Sequence, residues 1–188
     1  MIVVAFSLEN QPGGLSTTLA PIAFNGTGVY STIGSLARQY PDRRPGSAGD
    51  DALAGHVAEV LGSRGYNVST DTFNASTADG PRTLRTVAGV RPGLSNGTIV
   101  IVSHRDATSS PAAADLSGTA VLLELARVIQ QQTLSHTVML VSTSGSVGAV
   151  GATRLAHQLA GQPVDAVIVL GDLAGARVTQ PVIGPWSN

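Results

Sequence analysis

Thr98-Ile99-Val100-Ile101-Val102-Ser103-His104-Arg105-Asp106 is the stretch that decides the fold. Its first half is an unbroken apolar, β-branched run, the pattern of a strand covered on both faces rather than one. It then turns polar within a single residue step, at Ser103. Polar side chains at the carboxyl end of such a strand mark the place where ligands bind in an open α/β sheet.

Downstream, Leu116 to Gln131 carries a helical stripe of Val121, Leu122, Leu125 and Val128, and Thr137 to Ser142 is a second buried strand. Ala149 to Leu159 reads as a helix and Val164 to Leu170 as a third strand. Strand, helix, strand, helix, strand predicts a three-layer α/β/α domain around a mostly parallel mixed sheet, with the Thr98 strand central. Upstream, Val29, Ile33, Leu36 and Ala37 share a helical face, and Tyr40-Pro41 stops that helix because a residue before proline avoids the α region. Asp50 and Asp51 open a second helix through Leu53, Val57, Val60 and Leu61 that ends at Gly65, acids first and glycine last. Tyr66 to Phe73 alternates like a strand, and Thr83 to Val90 is its expected partner across a polar loop, Asn74 to Pro81. No repeat interrupts this order.

Composition bounds the function. A chain of 188 residues, 43% apolar and 12% charged, suits one domain. A net charge of -1, with no arginine run longer than Arg43-Arg44, supplies no field for a polyanion and excludes nucleic acid as a partner. There is no cysteine for a disulfide or thiolate metal site. All 11 basic residues are arginine, which fits a bacterial source with G- and C-rich genes. Met1 to Phe6 is apolar but far shorter than the roughly 20 residues that span a bilayer. Two readings stay open there: the end of a membrane anchor upstream of residue 7, which would place the protein outside a bacterial membrane, or a disordered start. Residues 1–27 are accordingly read as a tail and 28–188 as the domain.

Three strand ends converge on one crevice: Ser103 to Asp106, Thr143 to Ser146, and Gly171-Asp172, with Asp115 at the start of the intervening helix within reach. Gly145, Gly148 and Gly151 match neither a dinucleotide fingerprint nor a phosphate loop, and Ser144-Gly145-Ser146-Val147-Gly148 does not form the Gly-x-Ser-x-Gly of serine hydrolases.

Arg44-Pro45-Gly46-Ser47-Ala48-Gly49, His104-Arg105-Asp106, Ala114-Asp115-Leu116-Ser117-Gly118-Thr119-Ala120, Gly148-Ala149-Val150-Gly151 and Gly171-Asp172-Leu173 occur in that order. Together they resemble the co-catalytic zinc aminopeptidases, the family of bacterial leucyl aminopeptidases, glutamate carboxypeptidase and glutaminyl cyclase. The resemblance implies that His104 corresponds to a zinc ligand, Asp106 to the carboxylate that orients it, Asp115 to the aspartate bridging two zincs, and Asp172 to a ligand of the second zinc. Those four places are filled.

The next motif departs. The resemblance places a Glu-Glu pair, general base and zinc ligand, at Gly145 and Ser146, and after Glu124 the chain contains no glutamate at all. Glycine accepts no proton, and a serine hydroxyl is a poor partner for zinc. The family's last histidine ligand has no counterpart before Asn188, and the resemblance therefore carries the expectation of a domain truncated at its C-terminus. Each zinc place keeps two protein ligands, where catalytic zinc takes three plus water.

The expectation is a degenerate zinc-aminopeptidase-like domain without peptidase activity or bound cofactor, serving a binding or structural role toward a peptide, a protein or a second copy of itself. The alternative is a divergent metal-dependent hydrolase built on His104, Asp115 and Asp172. Arg105 turned inward would neutralise Asp106 or Asp115 in place of a metal. Asp115 also suits the N-cap of the Leu116 helix. Glu124 is expected to make a structural contact, and His56, His136 and His157 to lie on the surface or in packing.

Overall fold

The computed structural model describes residues 24–171, 173 and 174; the tail, apart from its last residues, and Asp172 lie outside the described residues. Helix α1 (Gly26–Gln39) begins earlier than its apolar stripe suggests, because the Asn25 side chain accepts a hydrogen bond from the Gly28 N–H at 2.9 Å and starts the helix before Val29. Helix α2 (Ala48–Ser63) opens on Ser47, whose hydroxyl accepts from the Asp50 N–H. It closes before Gly65, which carries a left-handed φ of 78°.

Strands β1 (Asn67–Thr77) and β2 (Gly80–Arg91) form a hairpin in continuous antiparallel register from Asn67↔Val90 to Thr77↔Gly80. The polar stretch read as a loop from Asn74 to Pro81 is therefore mostly strand. Its Asn, Ser and Thr residues sit at the exposed edge of the sheet, where solvation removes the need for apolar side chains. Strand β3 (Thr98–His104) leads through a short 3-10 turn (Ala113–Leu116) into α3 (Ser117–Ile129), then come β4 (Thr137–Thr143), a second 3-10 turn (Val147–Ala149), α4 (Val150–Leu159) and β5 (Val164–Leu170).

The sheet runs β1-β2-β4-β3-β5, with β3 parallel to both β4 and β5 and the two hairpin-side pairings antiparallel. It is a mixed sheet whose parallel half carries the site. Helices α1, α2 and α3 cover one face, where Leu36, Leu53, Leu61, Leu122 and Leu140 build the main core. Leu155 of α4 covers the other, against Val100, Val102 and Val141. Alternate residues of β3 thus enter different cores, which is why its apolar run is unbroken. No helix among the described residues is long and apolar enough to cross a membrane.

Candidate functional site

At the carboxyl edge of β3 and β4 the backbone turns polar, and burial sorts the side chains. His104 is half-buried, while Arg105 and Asp106 are both fully buried. The β3 end is held in place from both sides: the Arg105 N–H donates to the Thr143 carbonyl at 3.1 Å, and the Thr119 hydroxyl donates to the His104 carbonyl at 3.0 Å. That second bond brings the first turn of α3 against the strand end. Gly118 makes the approach possible, since a Cβ there would stand 2.6 Å from the Leu170 carbonyl oxygen of β5.

Asp115 lies inside the 3-10 turn rather than ahead of α3. The cap position of α3 is Leu116, with no side-chain capping bond, so the N-cap role read for Asp115 does not hold. The tightened turn moves Asp115 one step further back than a simple helix start would.

Arg105 does turn inward, but to a different acid. Its Nε is 2.8 Å from Asp50 Oδ1, with both side chains wholly inaccessible, and its other donors reach the carbonyls of Ser142 and Arg85. The Arg105 Nε–H donates to the Asp50 main-chain carbonyl at 3.2 Å, while Asp50 Oδ2 accepts from the Ser144 hydroxyl at 2.6 Å and from the Gly46 N–H at 2.9 Å. Burial pushes the Asp50 carboxyl above its ordinary range, with Arg105, Ser144 and Gly46 opposing it. Asp50 and Ser144 were not among the expected site residues. The signal for Asp50 was present, because Ser47-Ala48-Gly49-Asp50 has capping-box spacing and sends an acid back to the preceding loop.

Asp106 meets Ser146. Asp106 Oδ2 accepts from the Ser146 N–H at 2.9 Å and from the Ser146 hydroxyl at 2.7 Å, while its buried Oδ1 has no hydrogen-bond partner among the described residues. Gly145, beside it, has a φ of 82°, and a Cβ there would approach Leu84 Cδ1 to 2.9 Å. His104, Thr143 and Ser146, with Val102, Ala149 and Val169, line a cavity of about 170 Å³ at this edge.

Among the described residues no group of three His, Cys, Asp or Glu side chains is placed to hold a metal ion. His104 and Asp115 are described and Asp172 is not. Gly145 offers no donor atom, and the Ser146 hydroxyl is spent on Asp106, so the described residues do not fit a pair of zinc ions. Glu124 accepts from the Asn25 N–H at 2.7 Å and pairs with Arg127, the structural contact expected of it. His56 packs on Tyr40, and His136 stands 3.6 Å from Asp165 on the surface. His157 lines a surface groove between β1 and α4.

The model of Peptidase family M28 matches residues 86–186. Glutaminyl cyclase of Porphyromonas gingivalis superposes with a TM-score of 0.71 at 24% identity, covering 82% of this chain and 61% of its own. A leucine aminopeptidase precursor of Bacteroides thetaiotaomicron gives 0.69 at 17% identity, covering 80% and 63%. Glutaminyl cyclase of an Acidobacteriales bacterium gives 0.66 at 20% identity, covering 89% and 62%. No curated protein matches the sequence. The chain spans about three fifths of the length of these solved structures. A match over more than half of its residues, in a fold shared with these enzymes, makes this chain a member of Peptidase family M28.

Proposed function

We propose that this domain keeps the peptidase fold without the hydrolytic centre and serves as a binding or architectural module. The observation that carries the reading is the Ser146 hydroxyl bonded to Asp106 beside a left-handed Gly145, at the two positions where the family resemblance calls for carboxylates. A glycine and a committed hydroxyl supply neither a proton acceptor for water nor an anionic donor for zinc. A fold shared with hydrolases does not confer hydrolysis.

Val102, Ala149, Ala152 and Val169 form the apolar part of the cavity beside His104, which suits a small apolar side chain of a peptide or protein partner. We place the domain outside a bacterial membrane on the apolar start Met1 to Phe6. The folded unit in this reading begins with α1 at Gly26 rather than at residue 28, and a second copy of the chain is a further candidate partner.

Calorimetric titration with zinc, paired with assays on aminoacyl p-nitroanilides, tests the reading. Neither stoichiometric zinc nor turnover is expected. Stoichiometric zinc with turnover that disappears in His104→Ala would replace it by the second reading, a divergent hydrolase holding metal through His104, Asp115 and Asp172. That second reading draws on His104 at the end of β3 and Asp115 in the turn leading into α3, whose Thr119 hydroxyl donates to the His104 carbonyl.

A further inference from the structure

Arg43 is wholly buried, and its hydrogen bonds among the described residues all go to backbone carbonyls. Nε reaches Arg105 O at 3.3 Å, Nη1 reaches Tyr40 O at 2.6 Å and Pro111 O at 3.1 Å, and Nη2 reaches Pro111 O at 3.1 Å and Ala112 O at 2.9 Å. The Arg43 carbonyl in turn accepts from the Ala107 N–H at 3.0 Å. One residue therefore grips both ends of the segment 105–112, which begins beside Asp106 and leads into the turn bearing Asp115.

Between the gripped ends, residues 108–111 are exposed. Thr108 lines a small cavity of about 90 Å³ with Pro45, Val147 and the β1–β2 hairpin tip. The loop thus walls a cavity that also touches Val147, the residue after Ser146. An exposed loop with so few apolar anchors would ordinarily open at little cost. Desolvation of a guanidinium is expensive, and burial depresses the Arg43 pKa, with Asp115 first among the acids that oppose this. A buried cation bonded only to main chain is a costly way to fill space. A planar fork with five donors suits a different task, fixing several carbonyls of an irregular segment at once.

We propose that Arg43 is a positioning residue for the site, clamping loop 105–112 at both ends and thereby setting where Asp106, Thr108 and Asp115 stand. The inference goes beyond the binding reading above, because the clamp acts in the same way whether the neighbouring cavity takes a peptide, a metal or nothing.

Amide hydrogen exchange on the full chain tests it, comparing the unmodified protein with Arg43→Ala and Arg43→Lys. The Ala107 and Asp115 amides, bonded to Arg43 O and Ala112 O, should lose their slow exchange in Arg43→Ala while amides of β3, β4 and α3 keep theirs. Millimolar guanidinium chloride should restore that protection by refilling the vacated fork, and ammonium chloride should not. Arg43→Lys keeps the charge and loses the fork, so it should remain as loose as the alanine variant. Unchanged protection at Ala107 and Asp115 in both variants would overturn the proposal, as would full recovery by lysine or no response to guanidinium. A loss spread evenly over β3, β4 and α3 in both variants would also overturn it, by making Arg43 a general core residue. Zinc titration of the same variants is read separately, so a failure of the binding reading leaves this comparison intact.

Discussion

Arg105 and Asp50 face each other with Nε 2.8 Å from Oδ1, and neither side chain exposes any surface. The pair joins the end of β3 to the first turn of α2, 55 residues apart in the chain. Ser144, from the end of β4, completes it. The ends of β3 and β4 already share the main-chain bond from the Arg105 N–H to the Thr143 carbonyl, and the pair ties the first turn of α2 to both.

Breaking that pair from one side should be severe. Asp50→Asn or Arg105→Met leaves an uncompensated buried partner and should cost about 3–5 kcal/mol. Joint replacement of both by apolar residues should cost less than the sum of the single changes. Urea denaturation across the double-mutant cycle measures the coupling, and additive losses would show that the pair does not act as a unit.

Gly145 should resist any side chain. Gly145→Ala combines a left-handed backbone with a Cβ close to Leu84, and a destabilisation of about 1–3 kcal/mol is expected by chemical denaturation. Gly145→Glu should be at least as costly, so a carboxylate cannot simply be put back at this position. A Gly145→Ala protein as stable as the original would remove the backbone argument.

Ser146→Ala should cost about 1–3 kcal/mol although residue 146 is exposed, because it strips a hydrogen bond from the buried carboxylate of Asp106. Ser146→Thr keeps the hydroxyl and should recover most of the loss. Thermal melts of the two variants side by side decide this.

Acid should loosen the protein through its outer carboxylates. Hydrogen bonds from Arg154 hold Asp71 below its ordinary 3.8, and those from Arg127 hold Glu124 below its ordinary 4.5. A carboxyl whose folded pKa is depressed adds stability above its unfolded pKa and loses it as pH falls through the folded one. The contribution of these two carboxylates should thus be level above about pH 5.5 and decline below about pH 4.5. The Arg154–Asp71 pair is exposed enough for solvent to screen it, so its share of the acid response should be small. Arg154→Ala should flatten part of the acid slope in a Tm-against-pH series, and an unchanged slope would assign it to other groups.

Truncating the main core provides the scale for these effects. Leu122→Ala empties a fully buried position between α3 and the sheet and should cost about 2–5 kcal/mol in the same urea experiment. The Asp50 and Arg105 variants are expected to fall in that range.

What the chain determined by itself was local. The apolar runs Thr98 to Ser103 and Thr137 to Ser142, the stripes of the four helices, and the motif order from Arg44 to Asp172 can be read without coordinates, because strand and helix periods depend on neighbours a few residues away. Gly145 and Ser146, where the family resemblance calls for two carboxylates, were legible from the motif order rather than from any period. Tertiary structure alone decided the partners of the charges: Asp50 for Arg105, Ser146 for Asp106, four carbonyls for Arg43, and a 3-10 turn rather than a cap for Asp115. Such pairings join segments dozens of residues apart, and a buried charge is satisfied by whichever donor or acceptor the packed elements bring within about 3 Å. No pattern along the chain records that distance.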